Sequence, residues 1–210
     1  MSGGYSNTAG GYCSTVSGGA GNTASSRWSL AAGRRAKATH DGTFVWADSQ
    51  NADVSSTANN QVTFRCSGGV RFLSGSGGAN QQVEWAPGGS SWSFSSDRNL
   101  KEEFTSVDSE EILEKVTQLP LTEWNFKGYG LRHIGPMAQD FHAAFRLGGS
   151  ETTIDGGDLD GVALAAIQGL HQIVREKDAQ LASQQREISS LEARVSALEQ
   201  DLRALAEKAH

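Results

Sequence analysis

The chain has little of what marks several common classes of protein. Only two cysteines occur among its 210 residues, and no CxxC motif or His/Cys cluster has the spacing of a zinc site. No apolar run approaches the roughly 18 residues that a membrane span needs. The N-terminus also lacks the basic-then-apolar pattern of a signal peptide. We therefore expect no membrane span, metal or cofactor, and a chain made in the cytosol or taken from the end of a longer protein.

The two cysteines give no support for a disulfide. Cys13 and Cys66 stand alone in their segments, without the paired spacing of a disulfide framework. Their redox state stays open on the sequence, but two free, partly buried thiols are the favoured interpretation.

Charge and glycine divide the chain into two parts. Residues 1–95 carry six basic and four acidic side chains and sixteen of the 25 glycines, whereas residues 96–210 carry twelve basic and twenty acidic side chains. Neither part has the basic excess that nucleic-acid binding requires, so no nucleic-acid partner is expected. The composition predicts an α+β chain in which a Gly-rich β structure precedes a charged, helix-rich module.

A seven-residue repeat with one slip runs through residues 1–49. Glycine marks each turn, and a small apolar residue recurs in each unit, namely Ala9, Val16, Ala24 and Ala31. One short strand and a turn per unit predict a β-solenoid or β-roll. Such small buried groups could hardly offset the backbone entropy of one chain, which favours several chains around a common axis. A flexible linker is the alternative, but it would not need periodic Tyr, Val and Trp.

The repeat ends with a more specific segment, Phe44-Val45-Trp46-Ala47-Asp48-Ser49. Together with the Asn-Thr-Ala and Ala-Ala-Gly units, it resembles the head of trimeric autotransporter adhesins. In that family, stacked repeats form a left-handed β-roll shared by three chains. The resemblance covers about a quarter of the chain. It makes a host-surface receptor a candidate partner for the N-terminal part.

Residues 50–95 are predicted to be a β connector. The alternating segment 61–66 and the segment 70–73 flank a Ser-Gly-Gly turn, which predicts a hairpin. The Gly/Ser-rich stretch 74–80 is predicted to be a loop.

The first part of the second module predicts a small mixed α/β fold. A helix capped by Asp108 has to end by Pro120. Segments 121–127 and 131–134 then predict a strand pair, and a second helix is expected after Pro136.

A long heptad repeat follows, and it predicts a coiled coil over about residues 163–209. Twelve of its fourteen core positions are apolar, and the polar ones, Lys177 and Gln184, weaken the middle. The β-branched a positions and the Leu d positions lean towards a dimer, while the β-roll favours a trimer. The a positions are Ile167, Val174, Leu181, Ile188, Val195, Leu202 and Ala209, and the d positions are Ala163, Leu170, Lys177, Gln184, Leu191, Leu198 and Leu205.

The segment Ser96-Asp97-Arg98-Asn99-Leu100-Lys101 lies where the two modules join. A serine with a lysine five residues on is a weak motif by itself. On a helix the two side chains would lie about 140° apart, so they can meet only across a turn or between chains. Asp97-Arg98-Asn99 could form such a turn.

The order of the motifs after Ser96 is more specific. A Leu-Pro-x-x-x-Trp segment ending at Trp124 precedes an Arg-His-Ile-Gly-Pro segment ending at Pro136, an Asp-Gly-Val-Ala segment ending at Ala163, and the coiled coil. This order resembles the intramolecular chaperone domain of phage endosialidase tail spikes, which many tail fibres share. The resemblance covers residues 96–210.

This resemblance implies a domain that trimerises a fibre and then cleaves itself with a Ser-Lys dyad. It places the nucleophile at Ser96, the base at Lys101 and the scissile bond between Ser95 and Ser96, with Asp97 and Leu100 as supporting motif residues. Lys101 must be neutral to accept the proton, and burial at a trimer interface would favour that form.

We therefore predict an elongated homotrimer that acts once as an autoproteolytic serine peptidase, located in a virion tail fibre or in a secreted or cell-surface appendage. The alternative is a structural trimerisation module that does not cut. A glycan-degrading spike is a third possibility, since Trp85 and Trp92 could bind sugars, but no carboxylate pair favours it. His133 and His142 have no partner spacing, which indicates a structural or surface role.

Overall fold

The computed structural model describes residues 3–75 and 81–208. A first compact unit ends at Glu103 and a second begins at Phe104, and each is described by itself. Residues 76–80 of the predicted loop and Ala209, the last predicted heptad position, lie outside the described residues. None of the described helices combines the length and the apolar character that crossing a bilayer requires.

The first unit begins with the predicted β-solenoid, which has about four turns. Its strands alternate between two parallel four-stranded sheets, with orders β1-β3-β5-β7 and β2-β4-β6-β8. The strands are β1 (Thr8–Ala9), β2 (Thr15–Ala20), β3 (Thr23–Ala24), β4 (Leu30–Arg34), β5 (Ala36–Ala38), β6 (Phe44–Ala47), β7 (Val54–Ser55) and β8 (Val62–Arg65). The ladder thus continues to Arg65, past residue 49, where the repeat ends in sequence.

One turn of the solenoid takes two seven-residue units, because each unit supplies one strand to one of the two sheets. Val16 lies beside Ala31, and Ala31 lies beside Val45. The residues between the sheets are small and almost completely buried, which matches the predicted role of Val16, Ala24 and Ala31. Ala9, the first residue of the predicted set, is exposed on β1. The core contains Val16, Ala24, Ala31, Ala36, Ala38, Val45 and Ala47.

The asparagine of the Asn-Thr-Ala units has a structural role inside the solenoid. The Asn22 side chain is fully buried and donates to the carbonyl oxygens of Gly18 at 2.9 Å and Gly33 at 2.7 Å. It also accepts from the backbone amide of Ala36 at 2.9 Å. A buried amide side chain satisfied in this way ties neighbouring turns together at little desolvation cost.

Asp48 and Arg65 close the last turn of the solenoid. The Asp48 carboxylate accepts from the backbone amide of Ser67 at 2.7 Å and from Arg65 Nε at 2.8 Å. Arg65 also donates to several backbone carbonyl oxygens, including that of Gln50 at 2.9 Å. The hydrogen bonds from Ser67 and then from Arg65 hold the pKa of Asp48 well below its usual range.

The next three strands form a separate antiparallel sheet of order β11-β10-β9, and the predicted hairpin is wrong. Its strands are β9 (Val70–Ser74), β10 (Gln81–Trp85) and β11 (Ser93–Phe94). β8 pairs in parallel with β6, while β9 pairs with β10. An alternating pattern indicates a strand but does not identify its partner. Here β8 pairs with the edge strand of the solenoid, β6, and not with the strand that follows the Ser-Gly-Gly turn.

Both cysteines are free, as the sequence favours. Cys66 is half-buried, and burial raises the pKa of its thiol. Cys13 is exposed, contrary to expectation, and lies in a tight turn with a φ of 53°.

The second unit contains the predicted small α/β elements and one long helix. Its elements are α1 (Ser109–Gln118), β12 (Thr122–Trp124), β13 (His133–Gly135), α2 (Ala138–Phe145) and α3 (Gly156–Lys208). Asp108 caps α1 by accepting from the amides of Glu110 and Glu111. β12 and β13 pair in antiparallel fashion, as predicted, and Phe141 of α2 is buried.

Helices α1 and α3 pack closely at Gly169. A Cβ atom added to Gly169 would lie 2.2 Å from the carbonyl oxygen of Ser109, so only glycine allows this approach. Beside it, the side-chain amide of Gln172 donates to the carboxylate of Glu110 at 2.5 Å. This contact fixes the start of α1 on α3.

The heptad side chains of α3 remain exposed in the single chain. Ile167 is 63% exposed, Leu181 61% and Leu198 61%. A helix with an uncovered apolar stripe of this length is typical of one strand of a coiled coil.

We predict that Asp48 makes the first unit sensitive to acid. Because folding lowers the pKa of Asp48, its contribution is complete above the ordinary carboxyl pKa of about 3.9 and is lost as the pH falls below it. Asp48→Asn should therefore lower the thermal midpoint at neutral pH, and its difference from the wild type should shrink between about pH 5 and pH 2. Thermal unfolding followed by circular dichroism across this range measures it.

Asp53→Asn is the matched control for Asp48→Asn. Asp53 also pairs with an arginine, Arg35, but its side chain is 47% exposed, so solvent screens the pair and the effect should be smaller. A wild-type advantage over Asp48→Asn that persists unchanged at low pH would contradict the role of Asp48.

Two glycines of α3 are predicted to respond in opposite ways to the same change. Gly161 has open space around it, so Gly161→Ala should raise the free energy of unfolding by up to about 1 kcal/mol. Gly169→Ala should lower it by about 1–3 kcal/mol, because the methyl group meets the backbone of Ser109. Urea unfolding compares the two variants, and equal stability would mean that α1 does not pack at Gly169.

Candidate active site

The candidate site begins where the antiparallel sheet of the first unit ends. Phe94 lies opposite Val83 in the last ladder pair between β11 and β10. Ser95 follows, and its backbone amide donates to the carbonyl oxygen of Gln82 at 3.0 Å. Its hydroxyl accepts from the Gln82 amide at 2.9 Å. The residue on the acyl side of the predicted scissile bond is therefore anchored to β10.

A short turn of 3₁₀ helix over Arg98–Leu100 follows, with Asp97 as its N-cap. Asp97 Oδ1 accepts from the backbone amide of Asn99 at 2.9 Å and from its side-chain amide at 3.0 Å. The amide of Lys101 donates to the carbonyl oxygen of Arg98 at 3.2 Å. Asp97 and Asn99 thus hold the chain in a turn at the position where the sequence predicts one.

This turn brings Ser96 and Lys101 together. Lys101 Nζ donates to Ser96 Oγ at 2.8 Å, although the two residues are five apart in sequence. Both residues are exposed in the single chain. A hydroxyl within hydrogen-bond reach of an amine is the arrangement that nucleophilic catalysis by a Ser-Lys pair requires.

The two consecutive serines have different partners. Among the described residues, Ser95 Oγ forms hydrogen bonds only with the backbone of Gln82, whereas Ser96 Oγ forms one with Lys101. The two hydroxyls therefore lie in different surroundings, and the predicted nucleophile is the one beside Lys101.

The supporting motif residues differ in what they contact. Asp97 and Lys101 form no ion pair within the described residues, and Asp97 Oδ1 accepts both hydrogen bonds from Asn99. An ion pair between them would favour the charged ammonium, which cannot act as a base. Leu100 is 40% exposed.

The two histidines considered in the sequence have local partners in the second unit. The ring of His133 stacks on Trp124 at a centroid distance of 4.6 Å, and His142 Nδ1 lies 3.2 Å from the carbonyl oxygen of Leu147. Over residues 3–75 and 81–208, no group of three or more His, Cys, Asp or Glu side chains is arranged to hold a metal ion.

The comparisons with known proteins concern the same stretch of chain. Residues 96–147 match the model of a protein family described as Chaperone of endosialidase, peptidase S74. The match supports the intramolecular chaperone family. It begins at Ser96, includes Lys101 and extends through α1, β12, β13 and α2, while α3 lies beyond it. No curated protein and no solved structure matches the chain significantly.

The sequence analysis missed two features of the site, and only the second has a local sequence signal. The anchoring of Ser95 to Gln82 depends on the register in which β10 pairs with β11. No local sequence pattern predicts this register. The double contact of Asn99 with Asp97 could have been found, because Asp and Asn two residues apart commonly form such a turn.

Proposed function

We propose that this chain trimerises a tail-fibre or adhesin-like protein through an intramolecular chaperone domain and then cleaves itself between Ser95 and Ser96. The observation that carries the proposal is the 2.8 Å contact between Lys101 Nζ and Ser96 Oγ. It lies in the segment matched by the chaperone family, whose description includes a peptidase.

The proposed reaction forms an ester and then hydrolyses it. Ser96 Oγ attacks the carbonyl carbon of Ser95 while neutral Lys101 takes the hydroxyl proton. The peptide C–N bond breaks, and the nitrogen of Ser96 takes up a proton and becomes a free amine. Water then cleaves the ester, leaving a carboxylate on Ser95 and restoring the hydroxyl of Ser96. Each chain reacts once.

Assembly would control this reaction through the charge of Lys101. The lysine is exposed in the single chain, and only its neutral amine can accept a proton. Burial against neighbouring chains would disfavour the charged form of Lys101, so that the neutral amine could act as the base. Cleavage would then follow correct trimerisation.

Uncovered apolar surface in both units supports the trimer. On the outer face of the sheet β2-β4-β6-β8, Trp46 is 36%, Val62 60% and Phe64 52% exposed. The a and d side chains of α3 are exposed as well. Burying this apolar surface between copies of the chain would stabilise the assembly through the hydrophobic effect.

The first prediction from this proposal concerns the dyad. Ser96→Ala, Lys101→Ala and Lys101→Arg should each slow cleavage by at least about 10²-fold, because they remove the nucleophile or the proton acceptor. Lys101→Arg is informative because arginine keeps the positive charge but does not lose its proton. Intact mass under denaturing conditions measures the remaining full-length chain.

Lys127→Ala is the matched control, since it removes an exposed lysine outside the candidate site. It should cleave like the wild type. Cleavage of the Ser96→Ala variant at the wild-type rate would contradict the dyad. Trimers that are identical and uncut in the wild type and all variants would leave assembly alone as the function.

The second prediction concerns the dependence of cleavage on assembly. Ile188→Asp puts a charge at an a position of the heptad seam and should convert trimers to monomers. Cleavage should fall with the loss of trimer. Light scattering after size-exclusion chromatography gives the oligomeric state, and intact mass gives the extent of cleavage.

Ser190→Asp adds the same charge two residues away, at a c position outside the heptad seam. This variant should remain trimeric and cleave like the wild type. A monomeric Ile188→Asp variant that cleaves as fast as the wild type would rule out control by assembly.

A further inference from the structure

The strand that precedes Ser95, β11, is held to its neighbour by few backbone hydrogen bonds. β11 has only two residues and pairs with one neighbour, with Phe94 opposite Val83 and Ser93 opposite Glu84. The end of such a short edge strand would fray unless other bonds extended it. Ser95 lies just after this end, so whatever holds Ser95 also holds the carbonyl group that the proposed reaction attacks.

The side chain of Ser95 extends the ladder in an unusual way. In a regular hydrogen-bonded antiparallel pair, two residues exchange amide-to-carbonyl bonds in both directions. The Ser95 amide donates to the Gln82 carbonyl oxygen at 3.0 Å, as expected for such a pair. The return bond differs, because the Gln82 amide donates at 2.9 Å to Ser95 Oγ in place of the Ser95 carbonyl oxygen.

The hydroxyl therefore takes the position in the ladder that the scissile carbonyl would otherwise occupy. Ser95 Oγ also lies 3.3 Å from the carbonyl oxygen of Gln82, to which it can donate. On the other side of the scissile bond, the Asp97–Asn99 turn holds Ser96 against Lys101. Both sides of the bond are thus fixed while its carbonyl group is left out of the sheet.

We infer that Ser95 is a positioning residue for self-cleavage, an inference that rests on the proposed function. Its hydroxyl anchors the acyl side to β10 and keeps the carbonyl group available for attack by Ser96 Oγ. Holding the nucleophile and the carbonyl in a reactive arrangement is a large source of rate acceleration in reactions within one chain. The residue before the nucleophile should accordingly need a side-chain hydroxyl.

Three substitutions test this inference. Ser95→Ala leaves the Gln82 amide without the hydroxyl, so that it either loses its partner or draws in the scissile carbonyl, and cleavage should slow by about tenfold or more. Ser95→Thr keeps a hydroxyl at the same position and should restore most of the rate. Ser93→Ala removes a hydroxyl on β11 that makes no hydrogen bond among the described residues, and it should cleave like the wild type.

The cleavage rate is measured on full-length chains made by cell-free synthesis, quenched in denaturant at intervals and analysed by intact mass. Each Ser95 substitution is also combined with Lys101→Ala, so that its thermal midpoint and oligomeric state are measured on uncut chains. The inference requires that both double variants match Lys101→Ala in thermal midpoint and oligomeric state. In chains that keep Lys101, Ser95→Ala should cleave slowly, while Ser95→Thr and Ser93→Ala should not.

The possible failures can be told apart. A wild type that forms trimers without cleaving would refute the proposed function, and the role of Ser95 would fall with it. A cleaving wild type matched by Ser95→Ala would refute the role of Ser95 alone. The same holds if Ser95→Thr is as slow as Ser95→Ala, or if Ser95→Ala loses the trimer or the thermal midpoint of its uncut parent, because its effect would then be structural.

Discussion

Apolar surface that one chain cannot cover is the constraint on which the rest of this structure depends. The solenoid buries only alanine- and valine-sized side chains between its sheets and leaves Trp46 and Phe64 on an outer face. In the second unit, α3 presents an apolar heptad stripe without a partner in the single chain. In our proposal, association of copies would therefore stabilise both units, and the heptad stripe would set the register in which the copies meet.

Residues close together in sequence form the candidate active site, and association of copies could control its activity. The turn capped by Asp97 brings Lys101 Nζ to 2.8 Å from Ser96 Oγ through hydrogen bonds between residues that are close in sequence. What the single chain does not supply is burial of the dyad, because Ser96 and Lys101 are both exposed. Association of copies would change solvation at the dyad without changing its geometry, and this is how assembly and cleavage are coupled in our proposal.

Local patterns allowed much of the fold to be predicted, and pairing between distant segments explains most of what was missed. The spacing of glycine and small residues predicted the solenoid, and Asp108 and Pro120 delimited α1, because these signals act within a few residues. The turn from Val45 to Thr63 is longer than the turn from Ala31 to Val45, so the repeat disappeared from the sequence before the ladder ended. Similarly, the Ser-Lys pair could be proposed from a family resemblance, whereas the bond between Gln82 and Ser95 depends on a strand register that no local signal reveals.

The central claim is tested most directly by the intact mass of the wild-type chain, measured under denaturing conditions after light scattering has shown its oligomeric state. The account predicts a trimer that yields two fragments, one ending at Ser95 and the other beginning at Ser96. A proven trimer with a single full-length mass, or with a cut at any other bond, would contradict it.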